Sequence, residues 1–190
     1  MVRYCDDMIF IFQRKDDADR FYRTLPKRLE KYGLTLHIEK SHLIASGCNE
    51  ARMANQRGEH LPTYQFLGFT CYWGKARNGR WRLKCTSRRD RFTAKLKGLH
   101  KYLQEQINAA DTTVVLKTVV RVLNGWINYH GISDNDKRVK GFIYKSRSML
   151  RAWFNRRGRK KPKSWETIDR ILKTVNFPMR WKTVSMFYYS

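Results

Sequence analysis

The spacing of apolar residues changes character near residue 87. Before it they come in short runs broken by one helical stretch; after it they recur every three or four residues over long distances. At the start, Val2 and Met8 to Phe12 flank Tyr4-Cys5-Asp6-Asp7, which predicts two short strands reversing at the acidic pair. Ala18, Phe21, Leu25, Leu29 and Tyr32 predict an amphipathic helix from Asp16, its N-cap, to Gly33, its stop, with a kink or late start at Pro26. Leu34 to Ile38 and His42 to Ala45 read as a hairpin around Glu39-Lys40-Ser41, and residues 46–62 as a loop with room for a short helical turn. Tyr64 to Trp73 and Arg80 to Cys85 flank Asn78-Gly79, the pair that favours a type I' hairpin turn. In the second arm Trp81, Leu83 and Cys85 alternate with Arg80, Arg82 and Lys84, so one face is expected to pack and the other to be basic.

Ser87 with Asp90 three residues on forms a capping-box pattern, and a helical stripe of Phe92, Leu96, Leu99, Leu103 and Ile107 follows. A second helix is expected from about Thr112 to Tyr129, through Val115, Leu116, Val119, Leu123 and Ile127, ended by Gly131. A third is expected from about Asn135 to Asn155, with Val139, Phe142, Met149, Leu150 and Trp153 inside. Helices joined by short loops predict a bundle. Arg156 to Lys163 is a basic loop, after which Ser164 is placed to cap a short helix before an aromatic tail. The expected fold class is α+β, with domains over 1–87 and 88–190.

Charge adds a partner to this picture. Across 190 residues the formal net charge is +24, with 42% apolar and 14% aromatic residues, enough for packed cores. Residues 1–87 carry 16 Lys and Arg against 9 Asp and Glu, whereas residues 88–190 carry 24 against 7. A polyanion, and so a nucleic acid, is the expected ligand, held mostly by the second half. Arg91, Lys95, Arg156, Arg157, Arg159, Lys160, Lys161 and Lys163 are the candidate RNA contacts. Cys5, Cys48, Cys71 and Cys85 never form a Cys-x-x-Cys pair, and the five histidines lack metal-ligand spacing, so neither a zinc site nor a disulfide framework is indicated. With no long apolar run and no signal peptide, the chain is expected in the cytoplasm, in bacterial fashion with RNA or the nucleoid, and not in a membrane.

Adjacent carboxylates on a turn repel one another unless a cation lies beside them, and hard divalent ions take oxygen ligands. Asp6 and Asp7 are therefore candidate metal ligands, although a solvated turn explains the same pair. Tyr-x-Asp-Asp between apolar strands resembles the motif of reverse transcriptases, and three later stretches resemble the group II intron-encoded reverse transcriptases and maturases in order. These are Gly33 to Ser41 with Lys40, Phe66-Leu67-Gly68-Phe69, and Gly125-Trp126-Ile127-Asn128-Tyr129-His130. Cys5 departs from the alanine usual in that family.

The resemblance implies a partial antiparallel palm sheet with a helix and hairpins, followed by a helical thumb and maturase-specific bundle. It implies Asp6 and Asp7 as catalytic ligands of Mg2+ in a two-metal nucleotidyl transferase site, incomplete in this chain. Tyr4, Cys5, Lys40, Leu67 and Gly68 would lie near nucleotide or primer, with Phe66 to Phe69 forming a strand. Implied partners are group II intron RNA, the RNA/DNA template-primer and a separate N-terminal reverse transcriptase fragment. Because Met1 lies three residues before the motif, the chain is expected to be truncated and no polymerase by itself. An RNA-binding splicing cofactor without polymerase activity and an inactive remnant are the alternatives. No endonuclease pattern is seen near the end.

Overall fold

The computed structural model describes residues 1–158 and 161–186. It is an α+β chain, 54% helical, with a small antiparallel three-stranded sheet, as the residue pattern implies. The chain folds as two compact units, one of Met1–Leu67 with Cys71–Lys84, the other of Gly68–Thr70 with the described residues from Cys85 onward.

The first unit opens with an antiparallel pair, β1 (Val2–Tyr4) and β2 (Asp7–Ile9), in the register Val2 to Ile9, Arg3 to Met8 and Tyr4 to Asp7. Two residues remain for the turn. Cys5 takes a left-handed φ of 52°, and the Arg3 Nε donates to its carbonyl at 3.0 Å. Helix α1 (Lys15–Glu30) follows, with Phe21 packed against Phe10 and Phe12 at ring separations of 4.5 and 5.2 Å. Its cap residue is Arg14, and Asp16 falls in the first turn, where a carboxylate favours the helix dipole without capping it. Pro26 neither delays nor interrupts the helix, so only the bond its missing N–H would have made is forgone. Gly33, at φ 68°, does end it, and the Leu34 N–H returns to the Leu29 carbonyl.

The hairpin expected over residues 34–45 does not form. Ile38–Lys40 is a 3-10 turn whose bonds run Lys40 N–H to His37 and Ser41 N–H to Ile38, and its flanks lack strand pairing. Leu34, Ile38 and Leu43 stay exposed, so no buried face rewards a ladder there. Residues read as loop instead include α2 (Cys48–Gln56), whose short buried stripe of Ala51 and Ala54 is too small to show as a period.

The sheet runs in the order β3 (Tyr64–Phe66), β4 (Phe69–Lys75), β5 (Trp81–Ser87). Phe66 to Phe69 is not a strand. Leu67 and Gly68 have φ of 46° and 75° and form a two-residue turn between β3 and β4, in the geometry favoured by hairpins. At the other end Gly79 alone has positive φ, 77°; its N–H donates to the Ala76 carbonyl and Ala76 N–H to Arg80. This is a type I turn closed by a left-handed glycine, in place of the expected type I' turn, with Asn78 Oδ1 accepting from the Arg80 N–H at 3.2 Å.

The second unit holds the main core. Helices α3 (Arg89–Glu105), α4 (Thr112–His130), α5 (Asp136–Arg157) and α6 (Trp165–Thr174) enclose one apolar cluster that includes Phe92, Leu96, Leu123, Phe142, Leu150 and Ile168. Asp111 caps α4 through Thr113 and Val114, and Ser164 caps α6 through Thr167, as its position implied. Ser87 does not cap α3. It is buried at the end of β5 with its hydroxyl taken by Asn135, while Asp90 turns to Arg88. Beyond α6 the chain returns to the start of α5, pairing Val184 with Ile132 and bonding the Trp181 indole to Asp136 at 3.0 Å.

Candidate nucleic-acid interface

Asn135 organises the ground on which the helical unit's charged face stands. Fully buried, its Oδ1 accepts from the Ser87 N–H at 2.8 Å and the Thr86 hydroxyl at 3.1 Å. Its Nδ2 donates to Ser87 Oγ at 2.6 Å and to the His130 carbonyl at 2.9 Å. One amide thus ties the end of β5, the end of α4 and the start of α5 together. Sequence reading took Asn135 only as a helix start; its place in a cap-rich run, Ser-Asp-Asn-Asp, was the available signal.

With α5 so placed, two of its cations lie over a ring of α3. The Arg138 guanidinium sits 5.3 Å and the Lys145 ammonium 5.6 Å from the centre of Phe92, itself packed edge-on against Trp126 and Phe142. The stems of both side chains can cover the core here while their charges reach water. Arg91 and Lys95, one residue before and three after Phe92 on α3, are exposed. Arg91, Lys95, Arg138 and Lys145 have no carboxylate partner among the described residues. Positive charges left without neutralisation on α3 and α5 attract phosphates. Arg91 and Lys95 were expected here; Arg138 and Lys145 were missed, because only helix packing brings them to Phe92.

Other cations serve the fold. Arg147 grips Asp169 with two bonds of 2.8 and 2.6 Å, and Arg147 and Arg151 lie 4.4 and 4.5 Å from the Trp165 ring, docking α6 on α5. Arg157, expected on RNA, gives its guanidinium to the carbonyls of Gln106 and Ala109 and stacks on Trp153 at 4.6 Å. The Arg88 side chain, hydrogen-bonded to Asp90, holds that carboxyl below the usual range. Of the basic loop, Arg156 and Lys161 are exposed and Lys163 is half-buried, its backbone held by Asn155 and Arg151. Arg159 and Lys160 lie outside the described residues.

Within Gly125 to His130, Trp126 packs on Phe142 at 4.6 Å, Tyr129 is largely exposed beside Phe69, and His130 is buried among the rings of Trp126, Tyr129 and Phe69. Burial lowers the His130 pKa to about 4 from 6.5. Between those values the unfolded chain binds more protons than the folded one. The stability from keeping this ring neutral is therefore complete above pH 6.5 and is lost as pH falls through about 4. His130→Phe should flatten the dependence of Tm on pH across that window; an unaltered dependence would assign it to other groups.

In the first unit, Asp6 occupies the turn and Asp7 the rung opposite Tyr4; all three are exposed, as is Cys5. Lys40 is exposed in its 3-10 turn, while Leu67 and Gly68 form the β3–β4 turn. Among the described residues no group of three or more His, Cys, Asp or Glu side chains could hold a metal ion, so Asp6 and Asp7 stand as a pair. A pair falls short of the bridging set that two divalent ions about 4 Å apart require. Nor is any helix among the described residues long and apolar enough to cross a membrane.

The sequence was compared with families and known proteins. Residues 89–170 match the family model described as "Group II intron, maturase-specific domain". No curated protein and no solved structure matches. The matched stretch begins at the first residue of α3 and ends within α6, so it contains the core helices and the cations on α3 and α5. The helical unit of this chain thus carries a group II intron maturase-specific domain over residues 89–170.

Proposed function

We propose that the chain binds group II intron RNA through its helical unit and helps that RNA fold for splicing. The observation that carries this reading is the pair Arg138 and Lys145 over Phe92, with the exposed Arg91 and Lys95 on the same helix as that ring, inside the stretch matched to the maturase-specific domain. Structured RNA is recognised largely through phosphates, 2'-hydroxyls and shape, which cations carried on a rigid helix pair can meet. Arg156, in the last turn of α5, and Lys161, beyond it, add exposed positive charge. The test is binding of a group II intron transcript against an unrelated RNA of equal length. Preference for the intron is expected, and equal binding would contradict the reading.

A second reading is favoured by one observation: Asp6 and Asp7 sit at a strand reversal, as in the palm hairpin that the motif resembles. On this reading they supply oxygen ligands to Mg2+ in an RNA-directed DNA polymerase, completed by carboxylates from elsewhere. Tyr4, Cys5, Lys40, Leu67 and Gly68 would then lie near a template-primer. The exposed apolar side chains of the first unit, among them Val2, Tyr4, Ile11, Phe12 and Leu34, support a protein partner such as a separate reverse transcriptase fragment. Primer extension by this chain alone is expected to give no product. Metal-dependent synthesis that disappears in Asp6→Ala would show that the chain is a polymerase unaided.

A further inference from the structure

The outward face of α5 carries a feature that phosphate binding leaves unexplained. Tyr144 is 61% exposed in the middle of the longest helix. Neither its ring nor its hydroxyl has a partner among the described residues; only its backbone carbonyl is engaged, by Ser148 Oγ at 3.1 Å. Tyr129, also exposed and in the same unit, differs in stacking on Phe69 at 5.8 Å. One turn before Tyr144 stands Gly141, which carries no side chain, and one turn after it stands Ser148. A methyl group at Gly141 would meet nothing nearer than the Phe92 ring at 4.0 Å, ordinary contact, so internal packing does not demand the glycine. A glycine inside a helix costs about 1 kcal/mol relative to alanine.

Helical side chains lean toward the preceding turn, so the tyrosine ring lies over the stretch that Lys140 and Gly141 occupy. Lys137 and Lys140, seven and four residues before Tyr144, share its face, and Lys145 adjoins it; all three are exposed. Overall α5 carries eight Lys and Arg against one acid, Asp136. An exposed aromatic surface that shares its helix face with two exposed lysines is complementary to a nucleobase with its flanking phosphates. Paired bases in a duplex are already stacked and cannot use such a ring.

We propose that the outward face of α5 takes an unpaired RNA base, stacked on Tyr144, with its flanking phosphates held by Lys137 and Lys140. The assignment rests on the RNA-binding reading and specifies its ligand: a loop or bulge, where Arg138 and Lys145 over Phe92 need only phosphates.

Two RNAs of equal phosphate number distinguish the possibilities, a stem-loop with an unpaired adenine loop and a blunt, fully paired duplex, each titrated against the full chain. Tyr144→Ser is expected to weaken the stem-loop about tenfold and leave the duplex unchanged, as loss of one stacked base would. Tyr144→Phe should keep the preference, and helix content by circular dichroism should be the same in all three proteins. Equal losses on both RNAs, or none on either, would overturn the stacking assignment while leaving the intron-RNA reading intact. No binding of either RNA by the unmodified chain would overturn both. Polyglutamate bound as tightly as the stem-loop, with neither affected by Tyr144→Ser, would mark the face as a site for an acidic protein and likewise overturn the proposal.

Discussion

Asn135→Ala is expected to lower the unfolding free energy of the helical unit by about 3 to 5 kcal/mol, among the largest effects of any single substitution. The side chain is fully buried and makes four hydrogen bonds, so truncation strands the Ser87 N–H and the Ser87 hydroxyl without water to replace it, and leaves the His130 carbonyl only its bond from the Ile132 N–H. Each stranded group costs about 1 to 3 kcal/mol, and some of that returns through relaxation. Asn135→Asp should do no better. A carboxylate can still accept from Ser87 N–H and Thr86, but it cannot donate to the His130 carbonyl, and its charge would be buried. Urea unfolding followed by tryptophan fluorescence measures the loss, since Trp126 and Trp153 lie in this core. A loss under about 1 kcal/mol would mean that the three segments are held by packing alone.

The second large effect concerns binding. Replacing Arg91, Lys95, Arg138 and Lys145 together by Gln is expected to weaken intron RNA binding roughly a hundredfold or more at moderate salt. The slope of log affinity against log salt should become shallower by about one for each phosphate contact removed. Glutamine is the suitable replacement because it keeps part of the aliphatic stem of Arg138 and Lys145, whose charged ends lie over Phe92; alanine would remove the whole side chain beside the ring and mix a stability loss into the result. Arg157→Gln is the contrasting substitution. Its guanidinium holds the carbonyls of Gln106 and Ala109, so it should cost stability and leave the salt slope as it was.

The helical half was legible because burial on a helix imposes a period. Phe92, Leu96, Leu99 and Leu103 repeat at helical spacing and all four are buried, and the end signals at Gly33 and Ser164 act locally, through φ and through one hydroxyl. What failed depended on competition or distance. Ser87 has the residue type of a cap, but its hydroxyl is bonded to Asn135, 48 positions away. Leu67 turns left-handed although a leucine gains nothing by doing so, and the glycine beside it was read as part of a strand. Residues 34–45 alternate like strands, yet Leu34, Ile38 and Leu43 stay exposed and no residue of the segment is fully buried, so the ladder never forms.

The candidate site divides in the same way. Net charge implied a polyanionic partner; it did not tell which cations remain unneutralised. Arg147 has the same charge as Lys145, two residues away, but is committed to Asp169, while Lys145 lies over Phe92 without a carboxylate partner among the described residues. That difference comes from the docking of α6 on one flank of α5 and of α3 on the other, which no local pattern records.

Excision of a group II intron from its precursor RNA, at a magnesium concentration too low for the RNA to splice unaided, tests the central claim most directly. The unmodified chain and the Asp6→Ala, Asp7→Ala double variant should both promote excision, while the chain with Gln at positions 91, 95, 138 and 145 should not. Promotion that vanishes with the two aspartates and survives loss of the four cations would contradict the account.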